Sequence, residues 1–244
     1  MTETISPALP IEKAMVLSAG LGKRMRPLTD NRPKPLVEVD GKPLLQHAFD
    51  RLAEGGVSTA IVNVHYLADQ IEDFVAGVKQ PRVLISDERD ALLDTGGGIV
   101  RALPLLGDAP FIVLNSDSIW IEGARPALER LREAWNEDEM DCLLLLASTV
   151  TSMGYDGIGD FTMDPDGLVK RRMENEVAPF VYAGLYIAHP RFFADAPEGA
   201  FSTNLLWDRA IEAGRLYGLR HDGIWLHVGT PEGVEEAERA LREL

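Results

Sequence analysis

Apolar positions recur along the chain with two different periods. Residues 14–17, 59–64, 82–85 and 111–114 are short apolar runs rich in branched side chains, the pattern of strands buried in a sheet. Between the first two, Leu44, Leu45, Ala48, Phe49 and Leu52 recur at helical spacing and stop at Gly55-Gly56, which predicts a helix over 43–53. Ile71, Phe74 and Val75 predict a second helix over 67–78. A third is expected over 99–106, behind three glycines, and a fourth over 123–135, where Leu128, Leu131 and Trp135 share one face. Strands and helices alternating at this spacing imply parallel βαβ units with right-handed crossovers.

The second half reads differently. Residues 141–147 form an unbroken apolar run, as in a strand buried on both faces. Residues 158–163, 168–172, 180–188 and 216–219 are strand-like and separated by Gly and Asp-Pro turns, so additions to the sheet replace regular winding. A helix capped by Ser202 or Thr203 is expected to run to Gly214, and Thr230 with Pro231 opens a final helix. The expected fold is α/β: a Rossmann-like, mixed but mostly parallel sheet flanked by helices.

At 244 residues the chain suffices for one large α/β domain or two small ones. A formal net charge of −15 argues against a general nucleic-acid or anionic-membrane surface. Apolar runs such as 143–147 are too short to span a bilayer, and the first residues lack signal-peptide character, so the cytoplasm is the expected compartment. Cys142, the single cysteine, is expected to be a small core residue. Residues 1–12 are expected to be flexible and 13–244 to form one domain.

Against this acidic background stands a basic island. From Lys13 to Lys34 there are six cationic residues and one anionic residue, Asp30. The island surrounds Gly20-Leu21-Gly22, where missing Cβ atoms allow a sharp turn and exposed amides form an anion-binding concavity. Phosphate suits such a site, because Arg offers a planar fork and Lys a compact charge. Neither the P-loop pattern nor a third dinucleotide-binding glycine is present. Two further stretches suit the same ligand. In Leu93-Asp94-Thr95-Gly96-Gly97-Gly98, Thr95 is expected to cap a helix whose amides the glycines bring close to a ligand. Asp117 follows the apolar run 111–114, where open α/β sheets bind ligands, and one carboxylate with waters and phosphate oxygens suits Mg²⁺.

Residues 17–29, Leu-Ser-Ala-Gly-Leu-Gly-Lys-Arg-Met-Arg-Pro-Leu-Thr, followed by Pro33-Lys34-Pro35-Leu36, resemble the signature of the sugar-phosphate nucleotidyltransferases. The resemblance implies the nucleotide-diphospho-sugar transferase fold, a nucleoside triphosphate and a sugar 1-phosphate as partners, and Mg²⁺ as cofactor. It divides the domain into a nucleotide-binding half, 13–148, and a sugar-phosphate-binding half, 149–244. By the same resemblance Arg24 and Lys34 are catalytic, and Asp117 is the principal metal ligand. Leu17, Ala19, Gly20, Gly22, Lys23, Thr95, Gly96 and Gly97 bind nucleotide, with Glu88 reading the base edge. Tyr155, Gly157, Glu174, Ala183 and Gly184 surround the sugar phosphate.

Two positions depart from the family. Asn175 stands where Lys is common, and Arg171 or Arg172 could substitute for its charge. His227, in the closing Trp-Leu-His-Val-Gly-Thr-Pro, stands where a second metal-binding Asp is usual. It either contacts phosphate or a metal-bound water, binds a softer ion, or packs within a strand. No hexapeptide repeat appears in the sequence, so a form without a fused acetyltransferase is expected. Among short members the resemblance is greatest to the branch using UTP and N-acetylmuramate 1-phosphate. Guanylyl transfer to mannose 1-phosphate and thymidylyl transfer to glucose 1-phosphate are the alternatives within enzymes, and a non-catalytic nucleotide-sugar-binding subunit is the alternative class.

Overall fold

The alternation within residues 14–16 decides how the two faces of the sheet are filled. Ala14 and Val16 point into one apolar cluster and Met15 into another, and all three are fully buried. A strand wholly buried on both faces belongs in a sheet's interior, and this one lies between two parallel neighbours. The structure, a computed structural model, describes residues 11–243; residues 1–10 of the segment expected to be flexible lie outside it.

In chain order the strands are β1 (Lys13–Leu17), β2 (Glu38–Val39), β3 (Lys42–Pro43), β4 (Thr59–Val64), β5 (Arg82–Asp87), β6 (Phe111–Asn115), β7 (Ser118–Ile121), β8 (Cys142–Ser148), β9 (Phe161–Met163), β10 (Val169–Arg171), β11 (Phe180–Ala188), β12 (Leu216–Arg220) and β13 (Ile224–His227). The helices are α1 (Leu44–Glu54), α2 (Ala68–Val75), α3 (Asp94–Leu106), α4 (Ala127–Ala134), α5 (Asn204–Glu212) and α6 (Pro231–Arg242). In the main sheet β5, β4, β1 and β6 lie side by side and parallel. Next comes β11, antiparallel to both β6 and β8, and then β12, parallel to β8. The β9–β10 hairpin joins at the start of β11. The sheet is mixed and mostly parallel.

Apolar stripes of α1, α2 and α4, with Phe49, Leu52, Ile71 and Leu131, cover one face. Ile99 and Ala102 of α3 and Leu206 and Trp207 of α5 cover the other. A third cluster lies under the β7–β13 ribbon, where Met25 packs with Leu44, Ile119, Leu226 and Val228. Burying Met25 completely contributes about 1.5–3 kcal/mol and ties the basic island to that ribbon. The sequence pattern missed β7, although its Ile119-Trp120-Ile121 run is β-branched and aromatic. Helix α3 begins five residues earlier than expected because the glycines lie inside it, and α4 begins only after Pro126. Among the described residues no helix is long and apolar enough to cross a membrane.

Strand β11 carries the irregularity that shapes the site. Its pairing with β8 shifts register between Tyr182 and Tyr186, and within that interval Gly184 has φ +82°. A Cβ at Gly184 would stand 1.7 Å from Ser118 Oγ. Only glycine lets β11 close this tightly on the chain just beyond β6. We therefore expect Gly184→Ala to lower unfolding free energy by about 3 kcal/mol in denaturant titration, from combined strain and overlap. A loss under 1 kcal/mol would mean the bulge relaxes easily.

Candidate functional site

The carboxyl ends of β1, β4 and β6 open on one cleft of about 390 Å³. Residues 17–20 line it from β1, Asn63 from β4 and residues 115–117 from β6, with Lys34, Pro35, Leu92, Asp94 and Thr95 closing the sides. The β1 and β6 ends are stitched together, since the amide and Oγ of Ser116 both donate to the Leu17 carbonyl, at 3.2 and 2.8 Å.

The basic island folds as a loop around an anchor. Gly22, in the left-handed region at φ 61°, leads into a single turn over Lys23–Met25 that buries Met25 and leaves Lys23 and Arg24 exposed. Thr29 Oγ1 donates to the Gly22 carbonyl at 2.8 Å and holds the loop. Among the described residues no acceptor takes the amides of Ala19, Gly20, Leu21 or Gly22. Gly20 faces open space, with no atom within 4 Å of where a Cβ would be. Unpaired amides beside an open glycine are the concavity an anion fills.

Lys34 lies across the cleft mouth, where its Nζ donates to Asp117 Oδ2. The side chains are 14% and 27% exposed, so a ligand can reach both. Burial opposes the Asp117 charge, but the Lys34 ammonium, by hydrogen bond and charge, holds the carboxyl below its usual range. His227 is the next charge-bearing neighbour, in register with Ser118 across the β7–β13 ribbon. Burial pushes its pKa down, Lys34 and Arg24 add to that, and Asp117 opposes it, so the ring is neutral at pH 7. It packs against Trp225, with ring centroids 5.2 Å apart, and edge-on to Tyr155. The charges of Arg24, Lys34 and Asp117 thus all act on the neutral His227 ring, and Lys34 acts on Asp117. Among the described residues no three His, Cys, Asp or Glu side chains form a metal cage.

Several expected contacts are placed elsewhere. Glu88 is fully buried and does not line the cleft. Its Oε1 accepts from Asn63 Nδ2 at 2.8 Å and its Oε2 from the Leu93 amide at 3.2 Å. Asn63 in turn accepts the Ser18 amide at 2.7 Å, so Glu88 holds the chain that positions the β1 loop. Asn63 was missed, though a polar residue next to the last position of an apolar run, near a strand's carboxyl end, was the available signal. Thr95 lines the cleft but lies inside α3, whose N-cap is Leu93.

Gly96 and Gly97 are buried, and their amides are taken by the Phe201 carbonyl at 2.9 and 3.3 Å. A Cβ on Gly96 would strike the Phe201 ring at 2.3 Å, and one on Gly97 the Gly199 carbonyl at 2.2 Å. The glycines admit the 199–203 segment rather than a ligand. Thr203 completes the seam by donating its amide to Thr95 Oγ1 at 2.9 Å.

A second cavity of about 230 Å³ adjoins the cleft, sharing Leu17, Asp94, Thr95 and Asn115. Its other walls are Tyr182, which precedes the expected Ala183 and Gly184, and Tyr186, residues 202–204 and Trp207, which were not anticipated. Tyr155, Gly157 and Glu174 line neither cavity. Gly157 packs on the Tyr155 ring, and exposed Glu174 lends only its carbonyl to Arg172 at 3.0 Å. Ala183 points into the core, and Gly184 sits against Ser118 and Asn115 behind the cleft wall. Arg172 is spent on the carbonyls of Gly159, Met173, Glu174 and Glu176. Arg171 instead pairs with Asp208 at 2.7 Å and donates to Asn204 Oδ1 at 2.9 Å on the second cavity's rim.

Desolvation pushes the Glu88 carboxyl above its ordinary range, against the pull of its hydrogen bonds. A raised acid pKa means that folding is favoured by the protonated form, and that this advantage is lost as pH rises through the folded-state value. Glu88→Gln removes the titration, so the stability of the wild type relative to this variant should fall as pH rises from 4.5 to 7.5. Thermal unfolding of both proteins across that range checks the sign; a constant difference would contradict it.

Residues 13–243 match the family described as Nucleotidyl transferase. N-acetylmuramate alpha-1-phosphate uridylyltransferase from Caulobacter vibrioides is 49% identical over 234 residues, covering 94% of this chain and 97% of that protein. The protein of the same description from Neisseria meningitidis is 35% identical, covering 93% and 96%. Among solved structures, HddC from Yersinia pseudotuberculosis superposes with a TM-score of 0.75 at 23% identity, covering 94% and 99%, which shows the fold. By the match along nearly its whole length, the chain belongs to the nucleotidyl transferase family.

Proposed function

We propose that the chain transfers the uridylyl group of UTP to N-acetylmuramate 1-phosphate, giving the UDP-sugar and pyrophosphate, in cell-wall recycling in the cytoplasm, where nucleoside triphosphates are made. The observation that carries the chemistry is the convergence of unpaired loop amides, Lys34 and Asp117 in one cleft, with exposed Arg24 on the same loop near enough for its charge to act on His227. The substrate pair rests on the near full-length similarity to the Caulobacter and Neisseria proteins.

In this reaction a phosphate oxygen of the sugar 1-phosphate attacks the α-phosphorus as the bond to the β-phosphate oxygen breaks. The nucleophile is already an anion, so positioning and charge stabilisation supply the catalysis and no general base is required. The amides of residues 19–22, with Lys23 and exposed Arg24, receive the triphosphate and neutralise the leaving pyrophosphate. Lys34, displaced from Asp117 by the ligands, bridges the α-phosphate and the sugar phosphate.

The donor set fits Mg²⁺, because the one carboxylate at the Lys34 end of the cleft, Asp117, leaves most of the coordination shell to waters and phosphate oxygens. Asp117 would hold the ion, with neutral His227 beside it, and the ion would supply charge neutralisation at the triphosphate. Residues 13–148 serve the nucleotide and 149–244 the sugar phosphate. The second cavity, walled mainly by the later segment, receives the sugar.

Pyrophosphate release tests the reading. The wild type with Mg²⁺ should turn over UTP with N-acetylmuramate 1-phosphate in preference to the other triphosphates and to glucose, mannose or N-acetylglucosamine 1-phosphate. Silence across the panel would favour a binding subunit instead. Lys34→Ala should lower turnover by about 10²–10³-fold, the cost of removing a preorganised charge. Turnover within threefold of wild type would contradict its role. Asp117→Asn should raise the Mg²⁺ concentration needed for half-maximal rate; an unchanged titration would place the ion elsewhere.

A further inference from the structure

Asp94 holds a backbone conformation that its position does not explain. It opens α3 at φ +61°, in the left-handed region that glycine adopts freely, Asp and Asn at a smaller cost than other L-residues, and none as readily as glycine. Three of the next four residues are glycines, so the local sequence already tolerates glycine here. The Asp side chain is exposed and lines both cavities. Its Oδ1 is fixed by the Thr95 amide at 2.6 Å, which aims the carboxylate while Oδ2 makes no hydrogen bond among the described residues.

The surroundings restrict what that carboxylate can meet. Lys34 is the one cation among the described residues lining either cavity, and it is paired with Asp117. The residues that line both cavities alongside Asp94 are Leu17, Thr95 and Asn115, all uncharged. An unpaired carboxylate repels phosphate, so phosphate belongs at the Lys34 end of the cleft and not here. What remains is a neutral donor, and hydroxyl groups suit a carboxylate as the ribose hydroxyl does in dinucleotide sites. Strain of this kind persists where function retains it.

We propose that Asp94 is a specificity-determining residue that accepts a hydroxyl of the ligand at the junction of the two cavities, either from the nucleotide's ribose or from the sugar. The proposal rests on the functional reading above for its substrates.

Asp94→Gly and Asp94→Asn in the full chain test it. Glycine relieves the strain and asparagine tolerates it, so both should fold, with Asp94→Gly melting at or above the wild-type temperature. We expect the KM for one substrate to rise at least fivefold in both variants, with kcat within about threefold. The substrate affected identifies the source. If it is UTP, 2′-deoxy- or 3′-deoxy-UTP should weaken binding to the wild type but not to the variants; if it is the sugar phosphate, these analogues should bind both alike. A rise below fivefold for both substrates in both variants would overturn the proposal and leave Asp94 a turn residue. Should the wild type turn over no pair in the panel, the functional reading fails separately. Calorimetric Kd values for UTP and UDP-N-acetylmuramate, wild type against variants, then decide the role of Asp94 by the same fivefold criterion.

Discussion

The pair between Lys34 and Asp117 links two parts of the site that lie 83 residues apart in sequence. Lys34 closes the basic island, Asp117 ends the run through β6, and the two meet where neither is buried deeply enough to be hidden from a ligand. Such a pair lets a cation and a carboxylate stand at one cleft mouth without either being left unpaired, a state that would be costly. Phosphate can replace the carboxylate at Lys34 and a divalent cation can replace the ammonium at Asp117. The arrangement stores both binding elements as one neutral contact.

Positioning that contact falls to close backbone approaches behind it. Gly184 lets β11 press on Ser118, one residue beyond Asp117, so a strand of the second half sets the end of a strand of the first. On the opposite wall, the Phe201 carbonyl takes two amides of α3 and Thr203 bonds Thr95. Behind the β1 loop, buried Glu88 fixes Asn63, which fixes Ser18. In each case a group outside the cleft holds one lining it, the support that precise charge placement requires.

Much of the fold was legible because its strands are buried on both faces and its early helices are strongly amphipathic. Val62 and Met15 could hardly be anything but interior. Lys34, in a resembled motif, and Asp117, after an apolar run, were likewise singled out in the sequence, and the structure sets them side by side in the cleft. What stayed hidden were contacts made by packing between distant segments. Gly96 and Gly97 read as ligand-approach glycines because sequence cannot show that Phe201, over a hundred residues later, occupies the space. Resemblance alone offers Glu88 as a base contact, and sequence cannot show that β4 supplies Asn63 to cover its carboxylate. The walls of the second cavity, Tyr182, Tyr186 and Trp207, are aromatic residues of β11 and α5, indistinguishable in sequence from ordinary core. Tyr155 and Glu174 matched a motif whose spacing is loose, and the structure sets both outside the cleft.

The central claim is that a triphosphate lies between the 19–24 loop and Asp117, with Lys34 moved from the carboxylate to phosphate. A crystal structure with Mg²⁺ and a non-hydrolysable UTP analogue tests this most directly. The account predicts phosphate oxygens on the amides of Gly20 to Gly22 and on Arg24, the ion on Asp117, and Lys34 Nζ on the α-phosphate. A nucleotide bound with Lys34 still on Asp117 and the loop amides unoccupied would contradict it.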